Sequence, residues 1–337
     1  MDIKQAIAAV LDGTHLSGDD MTAVMRQIMQ GEATPAQIGG FLVGLRAKGE
    51  TVTEIAAAAS VMRDFATRVD VSPEHLVDTA GTGGDGRSIF NVSTAACFVI
   101  AAAGGRVAKH GNRSLSSSSG SADVLEALGV RIDMSPAESA ACIDEIGIGF
   151  LFAPGHHAAT RHAAGPRKEL GTRTLFNLLG PLTNPASAPY QIMGVYADHW
   201  VRPIADVFQA LGSRHVLVFH SEDGLDEISI GAPTRISELH DGQVRDWVLD
   251  PRDYGVALGS LDSLVVEDPK ASAEVITGVL RGESGPATDM VVLNAAAAIY
   301  ACGRAKSFED GVGKARAVIA DGSALARLQA LQERSAQ

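Results

Sequence analysis

The sequence has few cysteines and no long apolar run. Its three cysteines, Cys97, Cys142 and Cys302, lie far apart and show no metal-ligand spacing, which predicts buried reduced thiols rather than disulfides or a zinc site. No apolar stretch reaches the roughly 18 residues that cross a bilayer, so we expect no membrane span. The start MDIKQAIAAVLDG lacks a basic segment followed by a cleavable apolar one, and we expect a cytoplasmic protein.

Basic residues are also fewer than acidic ones, so the formal net charge is -12. A broad basic face, which a nucleic-acid-binding protein normally needs, is therefore not expected. Basic side chains nevertheless cluster in two places, at 106–113 and 161–173. Two basic clusters in an acidic protein predict a compact anionic ligand.

The chain has two parts with different sequence patterns. Its 337 residues exceed the usual size of a single core. Residues 1 to about 70 carry helix-start signals at Ser17, at Thr34 before a proline, and at Thr51 with Glu54 three positions on. From His75 onward, short apolar runs alternate with helical stretches, which predicts a mainly parallel sheet covered by helices. We expect a small helical domain at 1–70, joined by helices from about 166–186, and a large α/β domain at 71–165 and 187–337.

Ligands of such sheets bind at the carboxyl ends of the strands, which selects the loops 79–94, 109–121, 153–167 and 221–229. The first contains AGTGGDG, whose spacing fits a dinucleotide-binding turn. However, its helix start is displaced to Asn91, and basic residues stand where a ribose-binding acid belongs. A P-loop lysine is missing as well. The turn therefore predicts a backbone anion cradle at a helix start, with a tight connection capped by Asn91 or Ser93 as the alternative.

The other loops add chemistry that suits the same ligand. KHGNRSLSSSSGS at 109–121 supplies cations, an amide and hydroxyls, against the alternative of a flexible serine linker. Asp226 and Glu227 follow a buried strand and predict a magnesium site, against the alternative of a solvated acidic turn. Arg167 has a planar guanidinium that suits a carboxylate, against the alternative of a surface residue.

Taken in order, these segments resemble the anthranilate phosphoribosyltransferase family. The likeness covers nearly the whole chain and rests on DTAGTGGDG, NVST, KHGNR, SGSADVLEALG, GFLFAP, RKELGTRTLFNLLGPLTNP and DGLDEIS. It implies a fold of the nucleoside phosphorylase type, a homodimer formed through the helical domain, and an active site in the cleft between the domains. It also implies transfer of phosphoribose from phosphoribosyl pyrophosphate to anthranilate, with two magnesium ions per site.

The resemblance assigns residues to each ligand. It implies that the catalytic residues are His110, Asn112 and Arg167. Anthranilate would bind to Gly81, His110, Asn112 and Arg167, and magnesium would bind to Ser93, Asp226 and Glu227. The residues implied to bind phosphoribosyl pyrophosphate are Gly81, Gly84, Asp85, Ile89, Asn91, Val92, Ser93, Thr94, Lys109, His110, Gly111, Asn112, Arg113, Ser114, Leu115, Ser116, Ser117 and Ser121.

Two other functions stay open on the sequence. A pyrimidine nucleoside phosphorylase would share the architecture, but its glycine string beginning Lys-His-Ser is absent. A phosphate-ligand-binding protein without catalysis would explain departures from the family pattern at Ile89, at Ser118 and at the Thr160-Arg161 pair. Those departures spare Arg167, Asn112 and the acidic pair, which favours the enzyme.

Overall fold

The computed structural model describes residues 1–84, 86–114 and 119–337. The predictions made for Asp85, Leu115, Ser116, Ser117 and Ser118 lie outside these residues. Helices of the first part are α1 (Ile3–Leu11), α2 (Gly18–Gln30), α3 (Pro35–Lys48) and α4 (Val52–Phe65). The later ones are α5 (Val92–Ala102), α6 (Ser121–Ala127), α7 (Pro136–Ile146), α8 (Ala153–His156), α9 (Arg161–Leu170), α10 (Phe176–Leu179), α11 (Val201–Ala210), α12 (Pro269–Leu280), α13 (Pro286–Ala301), α14 (Phe308–Ala320) and α15 (Ser323–Ser335).

The helices of the first part begin at local capping signals. Ser17, Thr34 and Thr51 are the N-cap residues of α2, α3 and α4, as predicted. Each side-chain oxygen accepts a hydrogen bond from a backbone N–H in the first helical turn, which would otherwise be unsatisfied. The start of α1 was not predicted, although Asp2 caps it in the same way.

A buried ion pair ties α3 to α4. The carboxylate of Glu54 is fully buried, accepts from Leu16 N–H at 2.8 Å, and lies 3.0 Å from the ammonium of Lys48. Burial alone would raise the pKa of Glu54, but the hydrogen bonds from Leu16, Thr51 and Lys48 outweigh it and lower this pKa from 4.5. Ionised Glu54 therefore stabilises the fold above its unfolded-state pKa, and that contribution is lost as the pH falls.

The helices α1 to α4 are called the helical unit below. Replacing Glu54 by alanine should destabilise this helical unit strongly, because it leaves the Lys48 ammonium buried without the carboxylate that pairs with it. We expect a loss of about 3–5 kcal/mol in the free energy of unfolding at pH 7, measured by urea denaturation. The exposed Glu32 of the same unit is the matched control, and Glu32→Ala should change stability by less than about 0.5 kcal/mol. Equal losses in both variants would contradict this role for Glu54.

The strands form one sheet in the described part of the chain. They are β1 (Leu76–Asp78), β2 (Arg106–Gly111), β3 (Ile148–Phe152), β4 (Tyr190–Gly194), β5 (His215–Ser221), β6 (Thr234–His240) and β7 (Gln243–Leu249), in the order β3-β2-β1-β4-β5-β6-β7. The pairs from β3 to β5 are parallel, and β6 and β7 add two antiparallel strands. The prediction of a mainly parallel sheet is confirmed.

Both faces of the sheet are covered, which explains why β5 is a continuous apolar run. Leu217 and Phe219 pack into a core with α5, α12, α13 and α14. Val216 and Val218 point the other way, into a core shared with α11 and with the helices of the first part. The segment 175–182 also contributes to this second core, so a late stretch of the chain packs against the N-terminal helices.

The expectation drawn from the cysteines is met. Cys97, Cys142 and Cys302 are buried free thiols, as predicted. Among the described residues, no helix combines the length and the apolar character that crossing a membrane requires.

Candidate active site

The carboxyl ends of neighbouring parallel strands bring the predicted loops to one edge of the sheet. The glycine turn follows β1, the segment from Lys109 ends β2, and the Asp226-Glu227 loop follows β5. Between them stands β4, which ends at Gly194. The order β2-β1-β4-β5 therefore makes these segments spatial neighbours.

The glycine turn requires glycine for its backbone conformation. Gly83 and Gly84 have φ angles of +63° and +80°, in the left-handed region that disfavours other residues. Thr82 N–H donates to the carbonyl of Gly194 at 2.9 Å. A Cβ placed on Gly81 would lie only 3.0 Å from that same carbonyl oxygen, so the turn lies directly against the end of β4.

Asp78 fixes the start of this turn, and the sequence reasoning missed it. Its Oδ1 accepts from the N–H groups of Thr79 at 2.7 Å, Ala80 at 3.1 Å and His110 at 3.2 Å. Burial raises the pKa of Asp78 to about 6. An acid that ends a buried strand immediately before a glycine turn was the available signal, because such an acid needs backbone donors.

Three predicted residues from three elements converge at the N-terminus of α5. Ser93 N–H donates to Glu227 Oε1 at 3.3 Å, and Lys109 Nζ donates to Ser93 Oγ at 3.3 Å and to Thr79 Oγ1 at 3.2 Å. Lys109 is only 3% exposed, so its charge is directed at this point rather than into solvent. A helix N-terminus, a buried ammonium and a carboxylate are thus concentrated beside the glycine turn.

Asp226 approaches the turn from the neighbouring strand end. Its Oδ2 lies 3.5 Å from the position of a Cβ on Gly81, which puts this carboxylate beside the turn. Ser93, Asp226 and Glu227 together offer a hydroxyl and two carboxylates, the oxygen donors that magnesium prefers. The Ser93–Glu227 hydrogen bond already joins two of the three residues, so this donor set fits the predicted magnesium site.

Burial makes His110 neutral. Its Nδ1 lies 3.1 Å from the carbonyl of Gly180, which assigns the proton to Nδ1 and leaves a lone pair on Nε2. Burial, followed by the charges of His157 and His156, lowers the pKa of His110 to about 3. Nε2 is buried and has no hydrogen-bond partner among the described residues. This ring can therefore accept a hydrogen bond at Nε2, but it carries no charge at pH 7.

Arg167 lies on α9 and is an incompletely solvated cation. Its guanidinium carbon is 5.0 Å from the centre of the Phe176 ring, and burial lowers its pKa. No ion pair joins it to a carboxylate within the described ranges. Such a cation suits an anionic ligand, although no hydrogen bond in those ranges links it to the glycine turn.

Comparisons with known proteins show the family of the chain. The family model described as the glycosyl transferase family α/β domain matches residues 73–325, and the helical bundle domain of the same family matches 4–66. The anthranilate phosphoribosyltransferase of Thioalkalivibrio sulfidiphilus is 60% identical over 98% of each chain, and that of Methylococcus capsulatus is 56% identical over 100% of this chain and 99% of the relative. The chain belongs to the anthranilate phosphoribosyltransferase family.

Solved structures of this family share the fold. The Thermus thermophilus anthranilate phosphoribosyltransferase matches with a TM-score of 0.93 and 42% identity, covering 98% of this chain and 99% of that chain. The Saccharomyces cerevisiae enzyme in complex with PRPP and Mg matches with a TM-score of 0.89 and 26% identity, covering 99% and 98%. The predicted family and the predicted fold are both confirmed.

Within this family member, the end of β2 packs tightly against the start of α6. A Cβ on Gly111 would lie 2.2 Å from Ser121 Oγ, and the carbonyl of Asn112 accepts from Ala122 N–H at 3.2 Å. Arg113 forms ion pairs with two carboxylates, that of Asp123 at 2.9 Å and that of Glu126 at 2.5 Å. Its contact with phosphoribosyl pyrophosphate stays a prediction.

Other predicted residues of the family pattern have structural partners. Asn91 does not cap α5 with its side chain, so the alternative of ordinary capping by Asn91 is wrong. Its Oδ1 instead accepts from Ser119 Oγ at 2.7 Å and from Ser272 Oγ at 2.9 Å. Ile89 forms an antiparallel bridge with Val265. Asn91 thus joins the start of α5 to Ser119, which precedes α6, and to Ser272 of α12.

Some of the remaining predicted ligand-binding residues are buried and others are exposed. Val92 and Thr94 are fully buried, whereas Asn112 is exposed and Ser114 N–H donates to Asp123 at 3.0 Å. Arg106 lies at the other end of β2 and forms an ion pair with Asp144. Arg106 is therefore remote from the strand ends at which the anionic ligand is predicted to bind.

Proposed function

We propose that this chain transfers the 5-phosphoribosyl group from phosphoribosyl pyrophosphate to the amine of anthranilate in tryptophan biosynthesis. The products are N-(5-phosphoribosyl)anthranilate and pyrophosphate. This is the reaction of the family to which the chain belongs. The observation that carries the proposal is the convergence of Ser93, Lys109 and Glu227 beside the glycine turn.

One assay separates this function from its two rivals. Anthranilate fluorescence should fall when phosphoribosyl pyrophosphate and magnesium are added together, and should stay constant when either is omitted. Uridine with phosphate is the parallel substrate pair, and turnover of that pair alone would indicate a nucleoside phosphorylase. Tight binding of phosphoribosyl pyrophosphate without any turnover would indicate a binding protein.

Pyrophosphate binds at the glycine turn in this proposal. The N–H groups of the turn and of the first turn of α5 are donors for its oxygens, and the positive end of the helix favours its charge. Lys109 adds a buried ammonium, whose electrostatic effect is stronger than that of an exposed one. Pre-positioned donors of this kind stabilise charge that develops on the leaving group.

Magnesium binds at Ser93, Asp226 and Glu227, and we propose two ions per site. Bound magnesium neutralises negative charge that builds up on the departing pyrophosphate. Ser93 contributes twice, because its hydroxyl faces the ammonium of Lys109 while its N–H holds Glu227 in place. The same residue therefore links the metal-binding carboxylate to the phosphate-binding lysine.

The acceptor needs orientation more than activation, because an aryl amine is already neutral at pH 7. Arg167 binds the anthranilate carboxylate through its planar guanidinium. His110 cannot pair with that carboxylate as a cation, because its pKa is about 3. Its Nε2 lone pair accepts a hydrogen bond from the amine instead, and Asn112 completes the acceptor site.

Replacing Arg167 by alanine should weaken acceptor binding selectively. We expect the KM for anthranilate to rise roughly 10- to 100-fold, as for loss of a charged hydrogen-bonded pair, with little change for phosphoribosyl pyrophosphate. Steady-state kinetics with each substrate varied in turn measure this. The neighbouring Lys168 is exposed, and Lys168→Ala should leave both KM values unchanged. Unchanged acceptor kinetics in Arg167→Ala would remove Arg167 from the site.

We also propose a cytoplasmic homodimer formed through a small helical domain, residues 1–70 with helices from 166–186. Exposed apolar side chains on this unit support the proposal: Leu11 is 70% exposed and Val43 45%. Covering such side chains on association is favourable. Light scattering of the purified chain measures the mass, and a monomer at all concentrations would contradict this assembly.

A further inference from the structure

We propose that Arg173 is a positioning residue that holds the glycine turn in its anion-binding conformation and couples it to the helical unit. This inference rests on the proposed function, because it assigns the turn to pyrophosphate. Arg173 lies between α9 and α10, in the segment that leaves the helical unit. Arg173 lies in the family segment RKELGTRTLFNLLGPLTNP, but the assigned site residues do not include it.

The first contact is with the turn itself. A guanidinium N–H of Arg173 donates to the carbonyl of Gly84, and a Cβ on Gly84 would lie 3.3 Å from Nη2. A carbonyl oxygen directed toward a pyrophosphate would repel it. Bonding this oxygen to a guanidinium keeps it away from the anion and leaves the donors of the turn available.

The second contact fixes the guanidinium. Its central carbon lies 4.3 Å from the centre of the Tyr196 ring, a cation–π distance. Tyr196 N–H donates to Thr82 Oγ1 at 2.9 Å, and its hydroxyl accepts from Trp200 Nε1 at 2.9 Å. Tyr196 is therefore held to the glycine turn by its backbone N–H and to the start of α11 by its hydroxyl.

The third contact reaches the helical unit. Arg46 on α3 donates from Nη1 to the carbonyl of Arg173 at 2.6 Å and to the hydroxyl of Thr172. One continuous path thus runs from α3 through the backbone of Arg173 to the carbonyl of Gly84. A planar guanidinium can stack on a ring and donate in its own plane at once, whereas a lysine ammonium cannot reproduce both contacts.

The test compares Arg173→Met and Arg173→Lys. We expect both to raise the KM for phosphoribosyl pyrophosphate at least about tenfold, with a change of less than about twofold for anthranilate. Recovery of the wild-type KM by lysine would overturn the proposal, because it would show that charge alone matters. The matched control is Arg68→Met, an exposed arginine in the segment before β1, which should change neither constant.

Coupling to the helical unit is tested by a double-mutant cycle. Arg46→Met should raise the same KM, and the Arg46→Met/Arg173→Met variant should be no worse than Arg173→Met alone, because both residues act along one path. Additive effects would overturn the coupling. Thermal unfolding of each variant is recorded, and Arg173→Lys, the smaller change, decides the case if Arg173→Met does not fold.

Calorimetric binding of phosphoribosyl pyrophosphate with magnesium separates this inference from the proposed function. If the wild type binds that ligand without turning over anthranilate, the proposed function fails, and the role of Arg173 is judged from the dissociation constant. A constant that is unchanged in Arg173→Lys would overturn the positioning role. A constant at least about tenfold weaker would support it.

Discussion

Replacing Asp226 and Glu227 together by asparagine and glutamine should abolish magnesium-dependent turnover. Both substitutions preserve size and one carbonyl oxygen, but they remove two negative charges from the proposed metal site. Magnesium binds carboxylates together with substrate phosphates and water, and amide oxygens are weaker ligands for it. We expect kcat/KM to fall by at least about 1000-fold, since charge neutralisation of the leaving group depends on the metal.

The measurement is anthranilate fluorescence over a magnesium titration. Glu227→Gln retains a carbonyl oxygen that can accept from Ser93 N–H, so the start of α5 should keep its structure and the loss should reflect charge. Asp262 and Glu274 are exposed, and their Asn and Gln replacements form the matched control pair with expected wild-type rates. An active Asp226/Glu227 double variant would remove these residues from metal binding.

The sequence predicted well those features that depend on local chemistry. Ser17, Thr34 and Thr51 cap helices because each side chain satisfies a backbone N–H only three positions away. Strand β5 was predicted because a buried parallel strand is a short apolar run. In contrast, β4 contains the polar Gln191, and β7 mixes polar, charged and apolar residues at an exposed edge, so neither gives that signal.

The candidate site was predicted as a set of segments but not as a network of contacts. Motif order assigned Ser93, Lys109 and Glu227, and the structure brings them together; their roles stay predictions. Asp78 and Arg173 were missed as holders of the turn, because the first acts on backbone amides and the second on a carbonyl far away in sequence. The contact of Arg173 follows from tertiary packing, which no local pattern encodes, whereas the acid before the glycine turn was a local signal for Asp78.

Close backbone packing at the end of β4 leads to the second large effect, a loss of function in Gly194→Ala. A Cβ on Gly194 would lie 1.6 Å from the carbonyl oxygen of Asp226 and 2.4 Å from its carbonyl carbon. These are backbone atoms, which cannot move aside by rotation of a side chain. The loop that carries Asp226 and Glu227 must therefore shift away from the glycine turn.

We expect Gly194→Ala to lower kcat/KM at least about 100-fold, because displacement of catalytic groups by about 1 Å is sufficient for such a loss. Stability should fall by only about 1–3 kcal/mol, as for other overpacked sites, so the folded variant can be assayed. Gly313→Ala on α14 is the control: in the described part of the chain, no heavy atom outside its own stretch of helix lies within 4 Å of a Cβ at this position, and we expect wild-type activity. If Gly194→Ala kept full turnover, the acidic loop could not depend on this contact for its position, and the metal site would have to lie elsewhere.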